Sequence, residues 1–243
     1  MIKHSLIVFL LFASEILFAQ EHNPTIKKKA TTVEGFVPQG WKIAYTAKGD
    51  LNKDAISDVA IIIQNTNPEN LVKNERLGSD TLDLNPRMLL VLFKGADKVY
   101  TLAAKNESFI PSPDDAESTC LADPLSETGA IHIEKGVLKL SYQYWLSCGS
   151  YGVTNTDYTF RFQNEKFELI GYDCKSFSRA SGEESSTSVN FSTRKIGKTT
   201  GGNMFDDNEN KPKTTTSKLT YGKLLNLELM TPKDSDALME LTY

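Results

Sequence analysis

The chain has 243 residues, 40% of them hydrophobic, with 27 Lys+Arg against 31 Asp+Glu. That apolar content excludes a chain disordered throughout, and its broken distribution excludes a polytopic membrane protein. A formal net charge of -4 gives no general attraction to nucleic acid, and no basic stripe is visible that would supply a local one.

The first twenty residues, MIKHSLIVFLLFASEILFAQ, place Lys3 and His4 before an almost wholly apolar run from Leu6 to Phe18, closed by Ala19. This is the layout of a secretory signal peptide over residues 1–19. Glu15 interrupts the run, which falls short of the roughly 20 apolar residues of a membrane span. Cleavage therefore leaves no integral membrane segment, and Lys3 and Glu15 depart together, so the net charge is unchanged. No cysteine follows the run, which argues against a lipid anchor. The expected location is periplasmic or secreted. Residues 20–35 are polar, basic and aperiodic, and predict a flexible lead-in to one β-rich domain over 36–243.

The segment Gly49-Asp50-Leu51-Asn52-Lys53-Asp54-Ala55-Ile56-Ser57-Asp58 runs into the apolar stretch Val59 to Ile63. Asp50, Asn52, Asp54 and Asp58 occupy positions 1, 3, 5 and 9 of a loop, and Ile56 at position 7 can offer its backbone carbonyl. Calcium takes six to eight hard oxygen ligands, and carboxylates at alternate loop positions point toward one centre. Without an ion these carboxylates repel one another. The competing reading is an Asp/Asn-rich turn before a strand.

The pattern resembles the D-x-[DN]-x-D-G-x-x-D calcium loop of FG-GAP and VCBS-type repeats, which precedes a strand in secreted and cell-surface proteins. The wider stretch from Gly40-Trp41-Lys42-Ile43 through Gly49-Asp50-Leu51-Asn52 is similar to single-repeat FG-GAP/VCBS-like exported bacterial proteins. The resemblance implies a bound, structural Ca2+ and covers about a tenth of the chain. Two positions depart from known calcium loops. Ala55 stands where the repeat has Gly, so a positive φ there costs about 1 kcal/mol. Ile61 at position 12 rules out an EF-hand, which needs a bidentate Glu.

Beyond the loop the dominant period is two. Arg87 to Phe93 and Val99 to Ala104 flank the polar turn Lys94–Lys98 as one hairpin. Ile131–Ile133 and Val137–Leu146 form a second around Glu134-Lys135-Gly136. Tyr158-Phe160-Phe162 and Phe167-Leu169 form a third around Gln163-Asn164-Glu165. Leu224 to Met230 alternates and predicts a late strand, Asn67 to Leu77 reads as a short helix or a loop, and 201–217 reads as a flexible loop. The expected fold is mainly β: antiparallel hairpins or a meander in one domain, forming a sandwich or a small propeller-like sheet, with few or no helices. A propeller needs several four-stranded blades, and the length supplies about three or four at best.

Of Cys120, Cys148 and Cys174, the Glu134-Lys135 turn places the first two nearly opposite across an extended hairpin, whereas Cys174 ends the strand after Asn164. The predicted bridge is Cys120–Cys148, with Cys174 free, and its loop contributes roughly 3 to 4 kcal/mol.

No catalytic constellation emerges. His22 lies in the lead-in and His132 faces away from Ile131 and Ile133 on a strand. Gly149-Ser150-Tyr151-Gly152 has the wrong spacing for a nucleophile elbow, and neither a zinc motif nor a phosphate loop occurs. Asp206-Asp207-Asn208-Glu209-Asn210 fits no ligand spacing. Trp41, Trp145, Tyr142, Tyr144 and Tyr151 could form a sugar- or peptide-binding face, although such aromatics commonly serve as cross-strand core pairs. These features favour an exported β-rich binding or structural module with an unidentified protein or glycan partner. The alternatives are a carboxylate-dependent hydrolase of envelope polymers and a secreted inhibitor or partner protein.

Overall fold

The computed structural model describes residues 24–125, 129–206, 211–220, 222 and 224–242; the expected signal segment and His22 lie outside them. In chain order the strands are β1 (Lys29–Ala30), β2 (Trp41–Gly49), β3 (Asp58–Asn65), β4 (Leu71–Lys73), β5 (Thr81–Asp83), β6 (Arg87–Lys94), β7 (Tyr100–Asn106), β8 (Ile131–Glu134), β9 (Val137–Trp145), β10 (Gly152–Gln163), β11 (Lys166–Ser178), β12 (Glu183–Asn190), β13 (Lys195–Asn203) and β14 (Lys213–Lys218), followed by the helix α1 (Pro232–Glu240). They form a five-stranded sheet in the order β1-β7-β6-β3-β2, a seven-stranded meander from β8 to β14, and a β4–β5 ribbon. All pairings are antiparallel, so the expected mainly-β fold is a β-sandwich rather than a propeller.

The five-stranded sheet is covered on both faces. Along β3, Ala60 and Ile62 point into the core shared with the seven-stranded sheet, where they meet Leu138, Leu140, Tyr158 and Phe160. Val59, Ile61 and Ile63 point the other way into a second core built with Ile26 and Phe36. This explains the unbroken apolar runs of β3 and β6, since a strand buried on both faces has no polar positions to alternate with. It also corrects the expected lead-in. Residues 24–35 are not a free tail: β1 pairs with β7, Ile26 is buried, and a 3-10 turn over Glu34–Phe36 seats Phe36 at 1% exposure. The second apolar face of the sheet has to be shielded, and this segment shields it.

The seven-stranded sheet alternates instead, with Leu138, Leu140, Phe160, Phe167, Val189 and Ile196 inward. Two-residue turns at Lys135-Gly136 and Asn164-Glu165, all at positive φ between 52° and 75°, close its β8–β9 and β10–β11 hairpins. Such turns match the right-handed twist of paired strands. A bulge between Thr159 and Phe160 pairs Phe160 with Leu169 but Thr159 with Gly171. It reverses the facing of the strand, so Leu169 and Tyr172 both enter the core despite their odd spacing. The two sheets meet along β2 and β8, where Gly49 is required: a Cβ there would lie 2.5 Å from Cγ2 of Ile133.

Three further expectations change. Residues 201–203 and 213–217 belong to strands β13 and β14 rather than to a loop; their Thr residues suit extended backbone, and their low apolar content reflects exposure. Leu224–Met230 is not a strand. Asn226 bridges once to Glu168, and Leu227–Leu229 is a 3-10 turn leading to α1. The segment is tied down by Asn106, whose Nδ2 donates to the carbonyls of Leu227 (2.6 Å) and Met230 (2.8 Å). Asn67–Leu77 comprises a 3-10 turn at Pro68–Asn70, then β4.

The bridge Cys120–Cys148 is present, with Cα atoms 5.5 Å apart, and Cys174 is free and buried. Beyond β8 the chain pairs again with the end of β9, in a register displaced by four residues from Ile131↔Leu140: Ala122 N–H donates to Trp145, Ser147 N–H donates to Cys120, and Leu121 bridges to Leu146. This extension brings the two cysteines together.

Candidate functional site

The loop between β2 and β3 is wound on its own side chains. Asp50 accepts from the backbone N–H of Lys53 through Oδ1 (2.6 Å) and from that of Ala55 through Oδ2 (2.9 Å). Asn52 Oδ1 accepts from Asp54 N–H (3.0 Å), and Asp54 Oδ1 accepts from Ile56 N–H (2.8 Å). Lys53 and Ala55 both sit at φ 67°. The positive φ expected at position 6 is therefore realised by an alanine, with the strain that a Gly there avoids.

Asp58 differs in kind from the other three. It is fully buried at the first position of β3, and both of its carboxylate oxygens are engaged. Oδ2 accepts from Leu51 N–H and Oδ1 from Lys94 N–H, each at 2.9 Å. One carboxylate thus fastens the loop to the β6–β7 turn and anchors Leu51, which is 1% exposed in the shared core. Burial pushes its carboxyl up from the usual range; the hydrogen bonds from Leu51 and Lys94 pull it back, and the charge of Asp54 raises it further.

Asp50, Asn52 and Ile56 are half-buried and Asp54 is exposed. The loop offers three carboxylates, an amide oxygen and the Ile56 carbonyl, which are all hard oxygens suited to calcium. Among the described residues, no three acidic, His or Cys side chains converge as a metal cluster. Asp54 Oδ2 instead takes the Asn52 amide at 3.1 Å. The backbone winding suits a calcium loop, whereas the carboxylates of positions 1 and 5 are turned onto the loop's own amides.

A second polar cluster escaped sequence reasoning. Arg87 opens β6 and is 4% exposed. Its guanidinium forms a bidentate pair with Asp123 (2.7 and 2.6 Å), and its Nε donates to Gln64 Oε1 at 3.2 Å. Gln64 Nε2 in turn donates to Asp83 Oδ2 at 2.8 Å. The Gln64–Arg87 pairing lies in register at the ends of two apolar strands, and that pair of terminal polar residues was the available signal. Asp123 sits in the connection after β7, and nothing local marks it as the partner. The guanidinium is matched by one carboxylate, as a buried ion pair requires, while the Asp83 carboxylate is held by the neutral donors Gln64 and Asn85.

The aromatic candidates separate. Tyr142 is a core residue, 5.3 Å from the Tyr158 ring, and Tyr144 packs edge-on beside it. Trp41 packs against the second core. Trp145 and the exposed Tyr151 flank Arg179, whose guanidinium lies 4.9 Å and 5.9 Å from their ring centroids. Arg179 also donates to the carbonyls of Leu146 and Ser150, both at 2.8 Å, so this stack pins the turn carrying Cys148. His132 is exposed, 3.6 Å from Glu134. Of the acidic run 206–210, residues 207–210 lie outside the described residues.

No helix of the described residues is long and apolar enough to cross a membrane. No family model matches the chain, and no match is found among curated proteins or solved structures.

Proposed function

We propose that the protein is an exported binding or structural module whose β2–β3 loop is ordered by calcium. The observation that carries the reading is the loop's backbone. Positions 4 and 6 are already left-handed, and Asp50, Asn52, Asp54 and Asp58 stand at positions 1, 3, 5 and 9 with Ile56 between them. Calcium would draw the Asp50 and Asp54 carboxylates off the loop amides and neutralise their repulsion. The Cys120–Cys148 bridge and the apolar start of the chain support an oxidising destination outside the cytoplasm. The resemblance to FG-GAP and VCBS-type loops supports a structural ion rather than a catalytic one.

Thermal unfolding of the mature protein across a calcium series tests this, beside Asp54→Ala. Binding to the folded state alone stabilises it by about 2.7 kcal/mol at a hundredfold excess over Kd. The expected result is a calcium-dependent rise in Tm that Asp54→Ala abolishes. An unchanged Tm up to millimolar calcium overturns the calcium reading and leaves an Asx-stabilised turn.

A further inference from the structure

We propose that the outer edge of β14 receives an extended, acidic segment of a partner protein as an added antiparallel strand. This rests on the reading of the protein as a binding module and is independent of the calcium loop.

The sheet edges are managed unequally. β8, at one end of the seven-stranded sheet, lies against β2, and β1 is only two residues long. β14 ends the other side of that sheet with six residues, all of them exposed. Its inner edge pairs with β13 from Lys195↔Lys218 to Thr200↔Lys213, and Leu219 N–H continues the ladder by donating to Arg194 O at 2.9 Å. In an antiparallel ladder the bonded residues alternate. With residue 219 bonded inward, Ser217, Thr215 and Lys213 are bonded inward too. Thr214, Thr216 and Lys218 then present their N–H and C=O groups outward. No described strand, helix or loop pairs with them. A row of backbone donors and acceptors at this spacing is satisfied by another strand, which sets the geometry of the partner as extended peptide.

Charge sets its composition. Lys213 and Lys218 are exposed at the two ends of the edge and Lys211 is exposed just ahead of it, in a protein of net charge -4. Lys195 lies directly across from Lys218, a like-charge cross-strand pair that is unfavourable on its own and relieved by a carboxylate added alongside. A second copy of β14 would bring the same lysines together along the new edge. Four consecutive residues from Thr214 to Ser217 carry short hydroxyl side chains, so no bulky group stands in the way of a neighbouring strand.

The test uses a fluorescent peptide alternating Glu with Val and Thr, titrated by anisotropy against the mature protein, in chelator and in calcium. A second peptide of equal charge carries a central Pro. Saturable binding is expected for the first peptide alone, with slowed amide exchange at Thr214, Thr216 and Lys218. Thr216→Pro removes an outward donor without touching the β13 ladder and should abolish binding. Should that variant unfold, Lys213→Glu with Lys218→Glu leaves the backbone intact and should weaken binding about tenfold. Equal binding of the Pro-interrupted peptide overturns the proposal in favour of a purely electrostatic surface. Unslowed exchange at the three amides, absence of binding, or dimerisation through β14 also overturns it. The calcium melt reads the loop and the exchange reads β14, so either reading can fail while the other stands.

Discussion

The two sheets share one core but face different surroundings, and their sequences differ accordingly. β3 and β6 are buried on both sides, with Ile61, Ile62, Ile63, Leu89 and Leu90 all at 0% exposure. β9 to β12 keep one face in contact with water, where Lys139 meets Asp157 at 2.7 Å and Gln143 meets Asn155 at 3.1 Å. A central strand therefore reads as an apolar block and an outer strand as an alternation. The comparison also separates the sites. The aspartate loop and the Arg87 cluster cap opposite ends of the central strand β3, whereas the disulfide and the free edge of β14 belong to the outer sheet.

The largest effect should come from uncovering the central sheet. Phe36→Ala is expected to cost about 3 to 5 kcal/mol in denaturant unfolding, similar to a large core aromatic in the outer sheet such as Phe160→Ala. A cost under about 1 kcal/mol would show that the N-terminal cover is dispensable and that the central sheet tolerates one open face. Reducing Cys120–Cys148, which spans 28 residues, should cost roughly 3 to 4 kcal/mol. The loss should appear as faster amide exchange in 119–148 while β3 and β6 remain protected. Arg87→Ala should cost about 3 kcal/mol by stranding Asp123, and Arg87→Ala with Asp123→Ala should recover part of it.

Asp58→Ala sharpens the division within the loop. It removes the acceptor shared by Leu51 and Lys94, and is expected to cost about 1 to 3 kcal/mol in chelator and, on the calcium reading, to lose the ion's stabilisation as well. Asp54→Ala removes the exposed acceptor of Ile56 N–H and should cost about 0.5 to 1.5 kcal/mol in chelator, with a larger loss where calcium is present. At the small end, Lys139→Ala on the wet face should change stability by no more than about 0.5 kcal/mol in the same unfolding assay. Cys174 supplies a qualitative check on the outer core. Burial pushes its thiol up, disfavouring the thiolate, so alkylation at neutral pH should require unfolding and be visible by mass spectrometry.

The hairpins at 87–106, 131–145 and 152–178 were legible, the last from its inner part 158–173, because alternation and polar turns are local signals. The Cys120–Cys148 bridge was read correctly, but not for the reason of register alone: the β8–β9 register carried outward would set Cys120 opposite Tyr151, and a four-residue shift, from Ile131↔Leu140 to Leu121↔Leu146, brings it to Cys148. Residues 24–35 were misread because their charge and aperiodicity describe solvent preference, while their place follows from an apolar face elsewhere that needs covering. Helix α1 had a readable start: Thr231 and Asp234 form a capping box around Pro232, with Asp234 Oδ2 accepting from Thr231 N–H at 2.8 Å. The alternation of Leu224 to Met230 just before it pointed instead to a strand.

By itself, the sequence determined the strand-rich class, the hairpin turns, the bridge, and an aspartate loop at Asp50–Asp58 ahead of a buried strand. All but the bridge are a matter of neighbours within a few residues; the bridge also needed a four-residue shift of register between the β8–β9 turn and Cys120. Tertiary structure alone decided that β3 would be dry on both faces and that Asp58 would be the buried clamp of its loop. It alone joined Arg87 to Asp123 and left β14 at an open edge. Those outcomes depend on which distant surfaces meet, because burial and desolvation belong to the assembled layers and not to any one segment of chain.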